Sequence, residues 1–556
     1  MVFTDFVLKA WPLKTLTWGI ISFLKGTVTL QPAIFCSLIS FIISFYNYDY
    51  DDWFYIIDPQ NIKSITQDSF NIHFLAENGI FSYDLITEEF FYNVNLSYDL
   101  SDDKKYLIHY EKSNDYFFIL TKKYILYKSS VSSYWNEKRL SDFNIPSINS
   151  VKNIGFNSQN IFIESKNNYK IIDIFSMTYD TQNNIEGYSN INWINNDLSS
   201  LDLTDFYTFG DDRISKNYIF DEAGIDHYVT SSIYDKYDNL WIGMNTGAIY
   251  KVEDSSYEIN RLNVGPRLDF ISNIFNDQDG NWYFMDNYFK RTGEIDPGFN
   301  GYILSIWNEN DNSWEHIPKN DNMLLNDITI NSIKKYEKYI ILATFDGLII
   351  YDSENKYWFH NYKFLNAANR VIWDLDFYYD KIYLSTNNGV VECSFTINNG
   401  KFKIYYNDKM FSNSEIYDLK IQNDELFLAT SEGLFNYNVE LDEITIIDSK
   451  VYYNIEIFDT HILGSNKNLW YIDDSGRELI SNRIEDFNVS DDKDRVCGKN
   501  RSEIIIIDLK TKNEWSIRLN DIGKNNFIYT IDCDNDWLWF SSDFGVSYFK
   551  WSNYEK

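Results

Sequence analysis

One short pattern recurs about a dozen times along this chain and constrains its fold more than any other feature. Each copy is an apolar strand, a small polar turn ending in glycine, and a second apolar strand; the clearest copies are residues 339–351, 382–391 and 426–435. Gly389 follows Gly347 by 42 residues, and Gly433 follows Gly389 by 44. Repetition at a fixed period of this length indicates stacked or circularly arranged units.

A period near 42 residues with short strands is typical of one four-stranded propeller blade per repeat. One copy shows all four segments, at 415–421, 425–430, 433–438 and 443–448. The strands are apolar on both faces, as expected of a sheet packed between two neighbours. The sequence therefore predicts an all-β chain of about 11–12 four-stranded blades. An open β-solenoid or an array of sandwiches is the alternative, although solenoid coils are usually shorter.

Eleven or twelve blades exceed the four to eight that one ring usually holds, so we expect two tandem β-propellers. An even division places the first propeller at residues 51–320 and the second at 321–556. Residues 52–57 resemble an outer strand without a blade of its own. We expect that strand to pair with a blade made late in its ring, which hides sheet edges.

The first 50 residues differ from the rest of the chain. Lysines precede an uncharged run of 20 residues at 26–45, and aspartates follow it. A run of this length is near the minimum for an apolar helix that spans a bilayer. The charge order favours export of the remainder, with residues 1–50 acting as a membrane anchor or a signal peptide. The expected location is the cell envelope, periplasmic or extracellular, either anchored or secreted.

The overall charge narrows the class of partner. The chain carries 49 basic and 82 acidic residues, a net charge of −33. Nucleic-acid binding needs clustered lysine and arginine, so that class of partner is not expected. The acidity fits either simple solubility or a surface that attracts cations.

Cysteine usage predicts no disulfide framework. Cys36 lies in the N-terminal segment, and the other three, Cys393, Cys497 and Cys533, are far apart with no CxxC pair. A zinc site is not expected for the same reason. Buried strand cysteines are the simplest interpretation.

One turn resembles the opening of a calcium loop. Asp277 and Asp279, followed by Asn281, match the oxygen-rich start of such a loop, which makes calcium the one cofactor worth testing. A full loop of this kind ends in a bidentate glutamate, and none stands at the right spacing. Asp and Asn also bond their own backbone in tight turns, so turn chemistry is the favoured interpretation.

Four residues are candidates for ligand contacts. Trp241 and Trp282 could serve as aromatic platforms, although packing between blades is the stronger expectation. Lys290 and Arg291 lie in a segment, 286–302, that interrupts one blade and is unusually basic for this acidic chain. Segment 183–212 is also poorly periodic. Insertions on a rigid scaffold are places where binding residues often sit.

One copy carries a family resemblance. Residues 235–250, DKYDNLWIGMNTGAIY, resemble the two-component regulator propeller repeat, roughly D-x-x-G-N-L-W-I-G-T-x-x-G-L-x-x-Y. Residues 277–282 match its first half, and 534–546 match both halves loosely. The resemblance spans about 50–556 and implies paired propellers of a periplasmic sensor type. No kinase, receiver or DNA-binding segment follows in the sequence, so it implies fold and location rather than signalling.

No signature of catalysis is visible. The six histidines are scattered, and neither a nucleophile elbow nor a P-loop nor a dinucleotide fingerprint occurs. We therefore expect a non-catalytic, sensor-like binding protein that recognises a glycan, a peptide or an envelope protein. A propeller-type lyase or hydrolase and a purely structural scaffold are the alternatives, because fold alone does not separate them.

Overall fold

The computed structural model describes most of the chain beyond its N-terminal segment. It describes residues 53–554 except 57–58, 98–99, 101–102, 133, 167, 195–200, 209–211, 269–270, 278, 286–301, 311–312, 319–328, 362–369, 399–400, 459–460, 474, 519–526 and 543–544. These residues form eleven antiparallel sheets, nine of them four-stranded, so the predicted all-β, propeller-like class is confirmed. The predicted N-terminal helix and the rest of segment 1–50 lie outside the described residues.

Four sheets, the four-sheet group, come first in the chain. Their strands are, sheet by sheet, β2 (Ser64–Gln67), β3 (Asn71–Ala76), β4 (Gly79–Asp84), β5 (Phe90–Tyr92); β6 (Lys105–Glu111), β7 (Tyr116–Thr121), β8 (Tyr124–Ser129), β9 (Asn136–Arg139); β10 (Val151–Phe156), β11 (Asn160–Ser165), β12 (Tyr169–Asp173), β13 (Tyr179–Gln182), β14 (Asn192–Ile194); β15 (Arg213–Ile214), β16 (Tyr218–Phe220), β17 (Asp226–Tyr234), β18 (Leu240–Met244), β19 (Ile249–Val252), β20 (Ile259–Arg261). Short helical turns stand between some of them, at Val94–Ser97, Leu140–Phe143, Ile148–Ser150 and Leu203–Asp205.

Seven sheets, the seven-sheet group, follow. Their strands are β21 (Asn273–Asn276), β22 (Asn281–Met285), β23 (Tyr302–Asn308), β24 (Ser313–Pro318); β25 (Ile330–Tyr336), β26 (Tyr339–Thr344), β27 (Gly347–Asp352), β28 (Tyr357–Asn361); β29 (Ile372–Tyr378), β30 (Lys381–Thr386), β31 (Gly389–Asn398), β32 (Lys401–Met410); β33 (Ile416–Gln422), β34 (Glu425–Thr430), β35 (Gly433–Asn438), β36 (Glu443–Asp448); β37 (Asn454–Phe458), β38 (His461–Ser465), β39 (Leu469–Asp473), β40 (Gly476–Ser481); β41 (Asp486–Val489), β42 (Arg495–Lys499), β43 (Glu503–Asp508), β44 (Glu514–Arg518); β45 (Ile528–Cys533), β46 (Trp537–Ser542), β47 (Gly545–Lys550), with β1 (Trp53–Ile56) beside β47. A helical turn, Trp551–Tyr554, ends the described chain.

The glycine-ended hairpins have the predicted geometry. The copy at 339–351 forms β26 and β27, and every residue of both strands is buried. At the matching turn of the next sheet, Gly389 has a φ of +103°, and an added Cβ would lie 2.4 Å from the carbonyl oxygen of Met410. Only glycine fits there, since other residues resist a positive φ and have no room for a side chain.

The first strands of the seven-sheet group pack side by side in a closed circle. Each packs beside the next from β21 through β45, and β45 packs beside β21. Apolar clusters fill the space between the sheets; one joins Trp282 of the first sheet to Trp539 and Val546 of the last. Another joins Tyr283 of that first sheet to Ile333 of the second. The core of this group is therefore the set of layers between its sheets.

The four-sheet group is built in the same manner. Phe74 of its first sheet packs against Trp241 of its fourth, and Ile62 N–H donates to Met244 O at 3.0 Å. Other clusters join the first sheet to the second and the second to the third. Ser64 Oγ donates to Ile108 O, so the first strands of two neighbouring sheets lie directly side by side.

The strand predicted at residues 52–57, which had no blade of its own, forms part of the last sheet. β1 lies beside β47 in the last sheet of the chain, and the Phe54 ring stacks on Tyr548 at 4.9 Å. The expected pairing with a late blade is thus confirmed. The even division near residue 320 stays a prediction, and the packing does not favour it, because the sheet at 273–318 lies within the circle of seven.

The cysteine prediction was wrong in one respect. Cys497 of β42 and Cys533 of β45 are buried strand residues as expected, but they form a disulfide across 36 positions. The bond ties the last two sheets of the circle together. The pair was missed because its partners lie on different sheets, and only the packing of those sheets brings them together. Cys393 is buried and free.

No helix among the described residues is long and apolar enough to cross a bilayer.

Candidate functional site

The two candidate tryptophans lie inside the sheet layers. Trp241 is fully buried, its ring 4.8 Å from that of Tyr83, and its indole N–H donates to Asp235 Oδ2 at 2.9 Å. Trp282 is also fully buried and stacks on Trp539 at 4.4 Å. Both positions fit packing between sheets. Their role in ligand binding stays an untested prediction that their burial does not favour.

The candidate calcium turn is occupied by a lysine. Asp277 accepts backbone N–H groups of Asp279 and Asn281 and a hydrogen bond from Tyr283, all within its own sheet. Lys335 Nζ lies 2.6 Å from Asp277 Oδ2 and 3.1 Å from Asp279 Oδ2. Burial alone would raise the pKa of Asp277, but the hydrogen bonds from Lys335 and Asn281 outweigh it and lower that pKa. An ammonium group thus stands where a metal cation would.

A metal centre has no other candidate in the described part of the chain, where no group of three or more His, Cys, Asp or Glu residues could hold an ion.

Lys290 and Arg291 lie outside the described residues. The strand that follows them begins at Tyr302, which is buried. Its hydroxyl donates to Asp221 Oδ2 at 3.0 Å and so joins the first sheet of the seven-sheet group to the four-sheet group.

Two histidines lie in hydroxyl–imidazole–carboxylate networks. His73 Nδ1 is 2.8 Å from Ser82 Oγ, and its Nε2 is 3.0 Å from Asp68. His227 is placed in the same way between Thr246 and Asp221. Both imidazoles and Ser82 are buried, so these networks connect strands and offer no open nucleophile–base pair at Ser82.

In the second network, that of His227 and Asp221, the surroundings set the protonation state of each group. Burial lowers the pKa of His227 although Asp221 opposes it, so the imidazole is neutral near pH 7. Burial would raise the pKa of Asp221, but His227, a backbone N–H and Arg261 together hold it well below its usual range. Arg261 Nη1 donates to Asp221 at 3.0 Å. A neutral histidine and a paired carboxylate make a stable polar joint.

Open side chains occur instead at β-bulges in the seven-sheet group. In four of its first strands one extra residue interrupts the pairing with the second strand: Asn331 in β25, Trp373 in β29, Tyr417 in β33 and Tyr529 in β45. A bulge re-aims a side chain and is over-represented beside functional sites. Three of these four residues are aromatic, and all four lie near the start of their strands, hence at one end of the circle.

The three aromatic bulge residues and two neighbours form what we call the aromatic mouth: Phe345, Trp373, Tyr417, Tyr453 and Tyr529. Trp373 meets Phe345 of the preceding sheet at 5.3 Å, and Tyr417 meets Tyr453 of the following sheet at 5.1 Å. Tyr453 is 55% exposed and the other four are half-buried. The indole N–H of Trp373 has no hydrogen-bond partner among the described residues. That indole nitrogen is itself buried, so the mouth offers mainly apolar ring faces.

Polar side chains on the first strands of the circle form a ring, the polar belt, which bonds sheets to their neighbours; Ser332, Asp374 and Asp418 directly follow a bulge. Ser332 Oγ donates to Asp374 Oδ1 at 2.5 Å, and Asp418 Oδ2 accepts Ile455 N–H at 2.8 Å. Asn488 donates to Asp532 in the last sheet. These carboxylates satisfy backbone and amide donors of adjacent strands, so their first role is to hold the circle together.

The protonation of the belt is uneven. Burial and the neighbouring Asp374 raise the pKa of Asp418 well above its usual value. Burial acts on Asp374 too, but the charges of Lys420 and Lys334 outweigh it and lower its pKa. Burial raises the pKa of Asp532 to about 8. Asp532 is therefore mainly neutral at pH 7, and burial favours the neutral form of Asp418 as well.

The bulged residues were missed at the level of sequence, although a signal was present. Residues 330–333, 372–375, 416–419 and 528–531 read INSI, IWDL, IYDL and IYTI, a repeated apolar–variable–polar–apolar motif. Its second position is the bulge and its third position belongs to the polar belt. A period-2 pattern assigns the second and fourth residues to one face, and it cannot show that a bulge shifts this register.

Comparisons with known proteins give structural similarity only. No protein-family model and no curated protein matches the chain. The extracellular domain of a protein described as a hybrid two-component system of B. thetaiotaomicron is 13% identical, with a TM-score of 0.40 over 88% of this chain and 70% of that one. A second such domain from that organism is 12% identical, with a TM-score of 0.29 over 91% and 77%. PorZ, a surface component of the type-IX secretion system of Porphyromonas gingivalis, is 9% identical, with a TM-score of 0.34 over 90% and 87%. Similarity at this level leaves the family of this chain open.

Proposed function

We propose that this chain is an exported, non-catalytic binding protein that takes a peptide or a glycan across the aromatic mouth. The observation that carries the proposal is the placement of Trp373, Tyr417 and Tyr529 on β-bulges at one end of a closed circle of sheets. The bulges give these aromatic side chains the same position in the first strands of the third, fourth and seventh sheets of the circle. Exposed and half-buried ring faces suit sugar rings and peptide side chains alike.

Two further observations support a binding role and an exported location. The carboxylates nearest the mouth, Asp374 and Asp418, are already engaged with donors of adjacent strands, which leaves them poorly placed for acid–base chemistry. The Cys497–Cys533 disulfide is typical of oxidising compartments such as the periplasm or the cell exterior. The charge order of residues 1–50 points the same way. A sensor-like role, as in the family that residues 235–250 resemble, is the finer form of the proposal.

The test is a binding measurement with matched aromatic variants. Wild type, Trp373→Ala and Tyr417→Ala are titrated by calorimetry with a panel of envelope oligosaccharides and of ten-residue peptides. Tyr379→Ala is the control, since Tyr379 is 79% exposed and lies at the opposite end of β29. We expect at least one panel member to bind, and each mouth variant to bind it about tenfold more weakly, equivalent to about 1.4 kcal/mol.

The control decides between the mouth and a general effect of removing aromatic side chains. Tyr379→Ala should bind as the wild type does, because its side chain does not contribute to the mouth. Equal loss in all three variants, or equal affinity in all of them, would contradict a site at the mouth. Turnover of any panel member would contradict the non-catalytic role.

A further inference from the structure

A second surface, in the four-sheet group, lies outside this proposed function. Six large apolar or aromatic side chains stand at turns between the first and second or the third and fourth strands of its sheets, or between the fifth and sixth strands of its six-stranded sheet. We call them the apolar crown: Phe70, Ile86, Val131, Phe175, Tyr237 and Tyr257. They are between 54% and 89% exposed. All four sheets contribute, so the feature belongs to the group and not to one loop.

These turns lie at one end of the group. In an antiparallel sheet, the turn after the first strand and the turn after the third strand stand at the same end. Asn114 Nδ2, in the turn after β6, donates to Ser158 O in the turn after β10 at 2.5 Å. Lys236 Nζ, in the turn after β17, donates to Ser69 O in the turn after β2 at 2.5 Å. Bonds between turns of adjacent sheets bring the six side chains to a common end.

The turns themselves do not need apolar tips. The Ile86 N–H donates to Asp84 Oδ1 at 2.7 Å, and the Phe175 N–H donates to Asp173 Oδ1 at 3.1 Å. The aspartate thus builds the turn, and the tip residue supplies only its backbone. Local chain geometry therefore leaves the apolar side chains of the tips unexplained.

The seven-sheet group provides an internal comparison. In its matching turns, Asp352 accepts the Asn355 N–H at 3.1 Å and Asp508 accepts the Thr511 N–H at 2.6 Å. The tip positions there are Glu354 and Lys510, two residues after the aspartate, as Ile86 and Phe175 are. Charged tips serve the same turn, so the turn itself does not require the apolar tips of the crown. Clustered exposed apolar side chains on a soluble surface mark an interaction site.

The charges around the crown indicate its partner. The turns carry twelve carboxylates, Asp68, Asp84, Glu88, Glu89, Glu111, Asp115, Asp173, Asp235, Asp238, Glu253, Asp254 and Glu258, against the two lysines Lys112 and Lys236. We propose that the apolar crown docks onto another protein whose matching face carries lysine and arginine around apolar pockets. A second copy of this chain would bring acidic turns against acidic turns, and an anionic bilayer would repel them in the same way.

The experiment places a photoreactive side chain at the crown of the full chain. Benzoylphenylalanine replaces Ile86 or Phe175 in cells that make the protein, and irradiated cells are examined for cross-linked products. The matched control carries the probe at Glu354, the same turn position in the seven-sheet group. A second pair of variants adds Glu88→Lys and Glu89→Lys to each crown probe. Thermal melting checks that all variants fold, which exposed turn positions permit.

The expected result is one adduct of the same mass from positions 86 and 175, absent from position 354. Mass spectrometry should place the cross-link on a surface of the partner that carries lysine and arginine. The double charge reversal should reduce its yield at least fivefold, because two attractive contacts become repulsive. The proposal is overturned by an adduct between two copies of this chain, by an adduct with lipid only, by a yield that charge reversal leaves unchanged, or by no product above that of position 354.

Discussion

The Cys497–Cys533 disulfide should contribute several kilocalories per mole to the stability of the circle of seven sheets. It joins β42 to β45, the first strand of the sheet that also holds β1 and packs beside β21. Closing a loop across 36 positions removes chain entropy from the unfolded state worth about 4 kcal/mol at 25 °C. Replacing both cysteines with alanine should therefore weaken the last two sheets and the closure of the circle together.

The assay has to report the stability of separate parts of the chain, because the eleven sheets of the described residues need not unfold in a single step. Amide hydrogen exchange read by mass spectrometry separates the last two sheets, 486–518 and 528–550, from the rest. We expect exchange in those two sheets to accelerate by a factor of several hundred in Cys497→Ala/Cys533→Ala, which corresponds to about 4 kcal/mol. The first three sheets of the four-sheet group should be unchanged, since the bond does not touch them.

A reductant and a third cysteine supply the controls. Reductant should accelerate exchange in the wild type to the rate of the double variant and should leave the double variant unaffected. Cys393→Ala removes a buried, unpaired thiol, so its effect should be the same with and without reductant. If reductant leaves the wild type unchanged, or affects the double variant equally, the argument from loop closure is wrong.

Two further predictions concern charged groups. Burial raises the pKa of Asp532 to about 8, so its contribution to stability is full below about pH 4 and is lost as the pH rises toward 8. Asp532→Asn should remove that loss, and its melting temperature should fall less between pH 5 and pH 8.5 than that of the wild type; parallel curves would contradict the assigned pKa. Lys335→Ala leaves the buried Asp277 carboxylate without its ammonium partner and should cost about 1–3 kcal/mol in denaturant unfolding. Chelation by EDTA should not shift the wild-type melting temperature, and a fall on chelation would show that a divalent cation, not Lys335, occupies the turn.

The local units of the fold were predictable because they depend on neighbours in sequence. The glycine turns, the strands apolar on both faces and the hairpin at 339–351 all follow from short-range chemistry, and the structure confirms them. The extra strand at 52–57 was predictable as a strand that pairs with a late blade, but which ring it closes was not. β1 pairs with β47, some 490 positions later in the chain, only when the circle closes. A short-range sequence pattern cannot identify a partner that far away.

The candidate site was less predictable, and for a physical reason. The sequence repeat highlights residues that build the sheets, so it drew attention to Trp241, Trp282 and Asp277, which are buried in sheet layers or tight turns. Residues that repeat because the scaffold needs them are poor markers of a ligand site. Trp373 and Tyr417 stand out only when the bulge displaces them from the strand register, and that displacement is a property of the paired backbone.

The two proposed surfaces lie on different groups of sheets, and the joint between those groups indicates how they are related. Tyr302 of the seven-sheet group donates to Asp221 of the four-sheet group, and Arg267 Nη1 donates to the same Tyr302 hydroxyl at 2.9 Å. Arg261 and His227 hold the Asp221 carboxylate from its own side. Two backbone N–H groups, of Ala223 and Ile225, also donate to this buried carboxylate, so the joint shows one fully bonded arrangement and no alternative that a ligand at the mouth could select. We therefore expect the proposed mouth and crown to act independently, so that the effects of variants at the two surfaces on binding add.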